Sequence, residues 1–210
     1  MAIPALQSFV GQVGPVTTQD GATPLMRFGK SAELIAQELH GRYYETTYRK
    51  NMYSGSIVGQ VTTVGLATTY TGLCLANPPG SSVNLVLNKV GVSFLVVFAA
   101  ASAVGLMTGY SGVALTGVTA VTVRNQLFNG GGPGQGLLAS AATLPIAPTV
   151  NTIFGAGLTG AITTAPDVFG LFDLEGSLIL PPGGYVAIYT STVSGAASMA
   201  ASMSWEEVLI

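Results

Sequence analysis

LEGSLILPPGGYVAIYT, residues 174–190, reads as a strand, a tight turn and a second strand. Pro182 presets φ at the first central position of a turn. Gly183 supplies the positive φ that the second central position of a type II turn requires. Pro181 has no N–H to donate and closes the incoming strand. On the outgoing strand Tyr185, Ala187 and Tyr189 share one face, and Val186, Ile188 and Thr190 share the other. Neither face carries a charge. Such a strand is either buried on both sides or covered by a neighbouring subunit.

The same grammar continues upstream and downstream. From about Gly55, short runs rich in Val, Thr, Leu and Ile alternate with Gly, Pro or Asn: SIVGQVTTVG, TYTGLCLA, VNLVLNKVGVSFLVVFA, VGLMTGY, GVTAVTV, TVNTIF and ASMSWEEVL. Eight to ten strands at this spacing, with no long amphipathic helix between them, predict an all-β fold. An antiparallel jelly-roll or β-sandwich is expected. NGGGPGQG is a loop tip. Trp205, the only tryptophan, is expected to anchor the last strand in the core, with Glu206 or Glu207 facing out.

Residues 1–52 differ in kind. Gly and Pro are scattered through the first thirty without a sustained period, which reads as an extended N-terminal arm; residues 53–210 form the body. Ser31–Leu39 suits either a capped short helix or a strand continuing into RYYETTYRKNMY.

Composition bounds the function. Charged residues make up 8% of the 210, against about 25% in ordinary globular chains. Net charge is −2, and mean hydropathy is +0.55. So few charges cannot cover a lone soluble monomer, and near-zero net charge favours association. Nine of the charges precede Asn51, and between Asn51 and Pro166 only Lys89 and Arg124 are charged.

No chemistry is written in the chain. Gly29-Lys30-Ser31 ends like a phosphate-binding loop, but Pro24 stands where that loop needs glycine. His40 and Cys74 are each the only residue of their type, too few for zinc. No Gly-x-Ser-x-Gly elbow is present, and Asp173 and Glu175 read as a solvated strand end. No catalytic residue, cofactor or metal is expected. Cys74 in YTGLCLAN predicts a buried thiol. Val90–Met107 is apolar, but its Val/Phe-rich first half and its glycines suit strands better than a membrane helix. The start lacks a basic region and is broken by Pro4, unlike a signal peptide.

RYYETTYRKNMY mixes cations with tyrosines. Three cations beside Glu45 in an acidic chain are few for nucleic acid. Tyr and Arg dominate protein interfaces, so Arg42, Tyr43, Tyr44, Tyr48, Arg49 and Lys50 are the candidate contact residues.

HGRYYE, TYTGLCLANPPG, LVLNKVG, TGYSG, DLEGSLILPPGGYVAIYT and WEEV, in this order across residues 40–210, resemble the small structural proteins of tailed bacteriophages. The nearest in style are capsid cement or decoration proteins, β-sandwich or jelly-roll subunits that sit as trimers or dimers on the head. The resemblance implies a non-enzymatic virion protein, made in the host cytoplasm. It would bind the outside of the major capsid protein and other copies of itself, with no nucleic acid, membrane or cofactor as partner. The alternative class is the trimeric β head of a fibre or adhesin that binds a receptor or glycan.

Overall fold

Alternation of apolar and small polar residues builds the strands, and one sheet's inner face closes against the other's. The computed structural model describes residues 41–210 except 64, 97, 99, 129, 158–166 and 195–197. Of the arm expected over residues 1–52, residues 1–40, with Ser31–Leu39 and His40, lie outside the described residues. The compact unit that holds the strands runs from Tyr43 to Ile210.

A five-residue helix, α1 (Tyr44–Tyr48), precedes eleven strands. They are β1 (Met52–Gln60), β2 (Thr69–Ala76), β3 (Val83–Phe94), β4 (Ser102–Tyr110), β5 (Thr116–Ala120) and β6 (Arg124–Asn125). After these come β7 (Leu137–Thr143), β8 (Thr149–Gly157), β9 (Asp167–Leu180), β10 (Gly184–Thr190) and β11 (Met199–Leu209). All pairings are antiparallel, in a five-stranded sheet ordered β6-β1-β11-β3-β9 and a six-stranded sheet ordered β5-β7-β2-β10-β4-β8. The fold is therefore all-β with two antiparallel sheets. The apolar run Val90–Met107 is divided between β3 and β4, and no helix among the described residues is long and apolar enough to cross a membrane.

The main core lies between the sheets. Leu85, Leu87, Val90, Val92 and Phe94 of β3 and Met199, Met203 and Trp205 of β11 meet Leu73 and Leu75 of β2, Val104 and Leu106 of β4, and Val186 and Ile188 of β10. In β3 the inward set changes parity between Leu87 and Val90. Asn88 is an extra residue there: Leu87 pairs with Trp205 and Lys89 with Ser204. A strict two-residue period would turn Lys89 inward. The bulge sends Lys89 out and seats Val90 in the core.

A second cluster lies on the far side of the six-stranded sheet: Tyr70, Cys74, Ala76, Met107, Tyr185, Ala187 and Leu144, with Leu115 and Tyr189 packed beside them. Tyr185 donates its hydroxyl to the Ile146 carbonyl at 2.8 Å, and Tyr70 donates to the Ile188 carbonyl at 2.9 Å. Of the two readings of β10, burial on both faces within one chain is the one observed. Trp205 is fully buried and stacks on Tyr53 at 6.2 Å. Glu207 turns inward and is 8% exposed. Its carboxylate accepts from the backbone N–H of Gln135 (3.0 Å) and Gly136 (2.9 Å) and from Trp205 Nε1 (3.3 Å). The glycine-rich loop is thus fastened to the end of the sandwich.

Gly184 N–H closes the turn onto the Pro181 carbonyl at 2.8 Å, and Gly183 has φ +89°. A Cβ on Gly183 would lie 2.3 Å from the Ser111 carbonyl oxygen. Gly183→Val therefore combines a left-handed backbone with a collision. It is expected to destabilise the fold by about 2–5 kcal/mol, read as a lower urea midpoint; an unchanged midpoint would count against the turn assignment.

Burial pushes the Cys74 thiol up to about 12 from its ordinary 9.0. Burial, with the neighbouring Cys74, also pushes the Tyr185 phenol up to about 12 and Tyr70 well above its usual range. These groups are acids held neutral by the fold, so the unfolded chain loses its protons first. Stability is whole below about pH 9 and falls as pH rises from there towards 12, by up to about 1.4 kcal/mol per pH unit for the thiol. Urea midpoints at pH 8 and pH 10.5 test this, with a shallower fall expected for Cys74→Ala.

Candidate interaction surface

Of the candidate residues Arg42, Tyr43, Tyr44, Tyr48, Arg49 and Lys50, Tyr44 and Tyr48 lie on the helix α1, Tyr43 and Arg49 cap its two ends, Lys50 follows it, and Arg42 precedes it in the chain. The strand, one of the two open readings for RYYETTYRKNMY, is not observed before Met52. Side chains four apart meet on a helix, and this spacing is satisfied twice. Tyr44 and Tyr48 stack with ring centroids 5.9 Å apart and an interplanar angle of 6°. Arg49 Nε lies 3.7 Å from Glu45 Oε2. Both tyrosines, both charges of that pair, Arg42 and Lys50 are exposed. Tyr43 separates from this group: the Lys89 ammonium lies 5.5 Å from its ring centroid.

The helix stops because the chain turns left-handed at Lys50, φ +67°. Lys50 N–H reaches the Thr47 carbonyl at 2.9 Å, and Asn51 N–H reaches Thr46 at 3.0 Å. This is the double bond pattern that glycine normally closes. Asn125 Nδ2 donates to the Lys50 carbonyl at 2.6 Å, tying α1 to β6.

Sequence reasoning gave the two body cations no role, and they frame the outer face of the five-stranded sheet. Register places Arg124, Ser54, Ser204, Lys89 and Asp173 in one row across five strands. The next row holds Ser56, Ser202, Gly91 and Leu171. Small side chains leave a concavity of about 610 Å³ over Ser54, Ser56, Ser202 and Ser204, bounded by Lys89, Arg124, Leu171, Val121 and Thr122. Lys89 Nζ lies 3.7 Å from Asp173 Oδ2. SGS at 54–56 and SMS at 202–204 were the signal: each alternates two outward hydroxyls around one inward residue.

Charge is segregated between the sheets. No Asp, Glu, Lys or Arg lies on β2, β4, β5, β7, β8 or β10. Every charged strand residue belongs to the five-stranded sheet. Among the described residues no three His, Cys, Asp or Glu side chains are close enough to share a metal ion. The surface offers hydroxyls, three guanidinium forks, ammonium groups and exposed tyrosine rings. These are groups that bind.

No family model matches the chain, and comparison with curated proteins finds no match.

Lys50 is a β-carbon-bearing residue in a left-handed site. Lys50→Gly is expected to stabilise the protein by about 1 kcal/mol, raising Tm by about 2–4 °C for a chain of this size. A lower Tm would mean that the lysine side chain itself holds the turn.

Proposed function

We propose that this chain is a non-enzymatic structural protein of a tailed-phage virion, a capsid cement or decoration subunit. Its partners are the outer surface of the major capsid protein and further copies of itself, most simply as a trimer. It acts by binding energy alone, holding adjacent capsid subunits against the pressure of packed DNA, and takes neither cofactor, nucleic acid nor membrane.

The observation that carries the reading is the strand order. With β5, β6 and β7 set aside as an excursion between β4 and β8, the chain crosses between the sheets at almost every step. The orders β1-β11-β3-β9 and β2-β10-β4-β8 remain. Eight strands in two such sheets support a jelly roll, an architecture that viral capsid domains and lectins share. An extended arm ahead of α1 completes the proposed organisation; the expected boundary at residue 52 is not kept, because α1 belongs to the same compact unit as the strands and β1 already begins at Met52. The sparse charge, which on the strands is confined to one sheet, supports a subunit that is covered by neighbours in use.

The concavity over Ser54, Ser56, Ser202 and Ser204 favours a second reading, the receptor- or glycan-binding head of a fibre or adhesin. Among the described residues its lining contains no aromatic ring on which a sugar would stack, which favours the capsid reading.

Mass spectrometry of purified virions is expected to find the chain in many copies per head. In cosedimentation with empty heads, replacing Arg42 and Arg49 by Ala is expected to weaken binding about tenfold. Deleting residues 1–30 is expected to leave a folded oligomer that binds weakly. Absence from virions overturns the reading, and full binding by the truncated chain moves the grip to the β body.

A further inference from the structure

The two margins of the five-stranded sheet carry opposite charge. At one margin, β6 lies against β1, and Lys50 and Arg124 are both exposed. Among the described residues neither has an acidic side chain within ion-pair distance. Four residues after Arg124 in the chain, Phe128 is 93% exposed. The nearby carboxylate of Glu207 is turned inward and already taken by three donors.

At the opposite margin, β9 is the edge strand. Its register against β3 breaks between Asp173 and Leu178, where four residues face the single Asn88. The extra chain turns at Glu175 (φ +52°) and Gly176 (φ +76°), and the Glu175 N–H donates to Asp173 Oδ1 at 3.0 Å. Asp173 and Glu175 are exposed there, flanked by exposed Leu171 and Ile179. This bulge keeps the edge from pairing as a plain ladder and presents carboxylates between apolar side chains.

We propose that copies of the chain associate side by side and head to tail, the Lys50–Arg124–Phe128 margin of one against the Leu171–Asp173–Glu175–Ile179 margin of the next. The occupant is a second copy because the two margins are complementary: cations and a ring on one side, and on the other aliphatic side chains with two exposed carboxylates, of which Asp173 also faces Lys89 at 3.7 Å. An interface that joins two different patches leaves one of each free and closes only as a ring of three or more. The inference rests on the self-association in the reading above and names its surface.

Sedimentation velocity on the full chain at micromolar concentration tests it, using Arg124→Glu, Glu175→Arg, the two together, and Phe128→Ser, with each variant's melting followed to show that it folds. Wild type is expected to be a closed oligomer of three or more copies. Each charge reversal is expected to weaken association about tenfold or more, with the double reversal recovering most of it. Phe128→Ser weakens association without changing its salt dependence. An oligomer indifferent to both reversals, a double reversal no better than either single one, or a two-fold dimer overturns this interface while leaving self-association standing. A wild-type monomer overturns both.

Discussion

Strand β10 must be buried on both faces, and much of the architecture follows from that constraint. Val186 and Ile188 fill the main core, while Tyr185 and Ala187 fill the second cluster. A strand with no charge on either face is soluble only if something covers each face. One cover is the five-stranded sheet. The other comes from the same chain: Leu144, and the Ile146 carbonyl that receives the Tyr185 hydroxyl. Asn77 fixes the position of the whole. Its backbone exchanges hydrogen bonds with Gly183 and Gly184, and its buried side chain donates to the Val83 and Leu180 carbonyls at 2.7 and 2.9 Å. The turn ahead of β10 is thereby joined to strands of the opposite sheet, so the register of β10 and the closure of the sandwich are set together.

Burying the middle of the six-stranded sheet on two sides leaves the strand charges to the other sheet. The five-stranded sheet has one buried face and one open face, and the bulge at Asn88 decides which residues occupy the open one. Without that extra residue the β3 pattern would drive an ammonium into the core and a valine into water. With it, Lys89 joins Arg124, Ser54 and Ser204 in a row that ends at Asp173. A single inserted residue thus converts a hydrophobic alternation into a charged outer face.

The body of the fold was legible because its signals are local. The Pro-Pro-Gly-Gly turn and the Val/Ile/Leu alternation in β3 and β10 each predict their own geometry. What escaped was non-local or weakly encoded. The Leu137–Thr143 strand is built on Ala and Ser, which have little strand preference of their own, and its place is set by pairing with β2 and β5. The two residues of β6 have no periodicity to detect. Near Arg42–Lys50 the tyrosines suggested a strand, because a five-residue helix has too few turns to show a 3.6-residue period. Its stability comes from the closing bonds at Lys50 and from Asn125. The grouping of Lys89 with Arg124 is a matter of register across strands far apart in sequence, which no local pattern carries.

A protein organised this way has its specificity in its margins. The inner faces are apolar and serve folding. The far side of the six-stranded sheet is covered by its own chain over Tyr185 and Ala187. Directional groups are left on the open face of the five-stranded sheet, at its two edges and on α1. Charged groups placed at a rim chiefly set orientation and partner choice, whereas apolar contact supplies most of the binding energy. The exposed rings of Tyr44, Tyr48 and Phe128 and the aliphatic side chains of Leu171 and Ile179 lie beside those charges. Binding energy and orientation therefore reside at the same places. The proposed virion subunit, which would repeat in one fixed geometry, would need both together, since adhesion without orientation gives disordered aggregates of so weakly charged a chain.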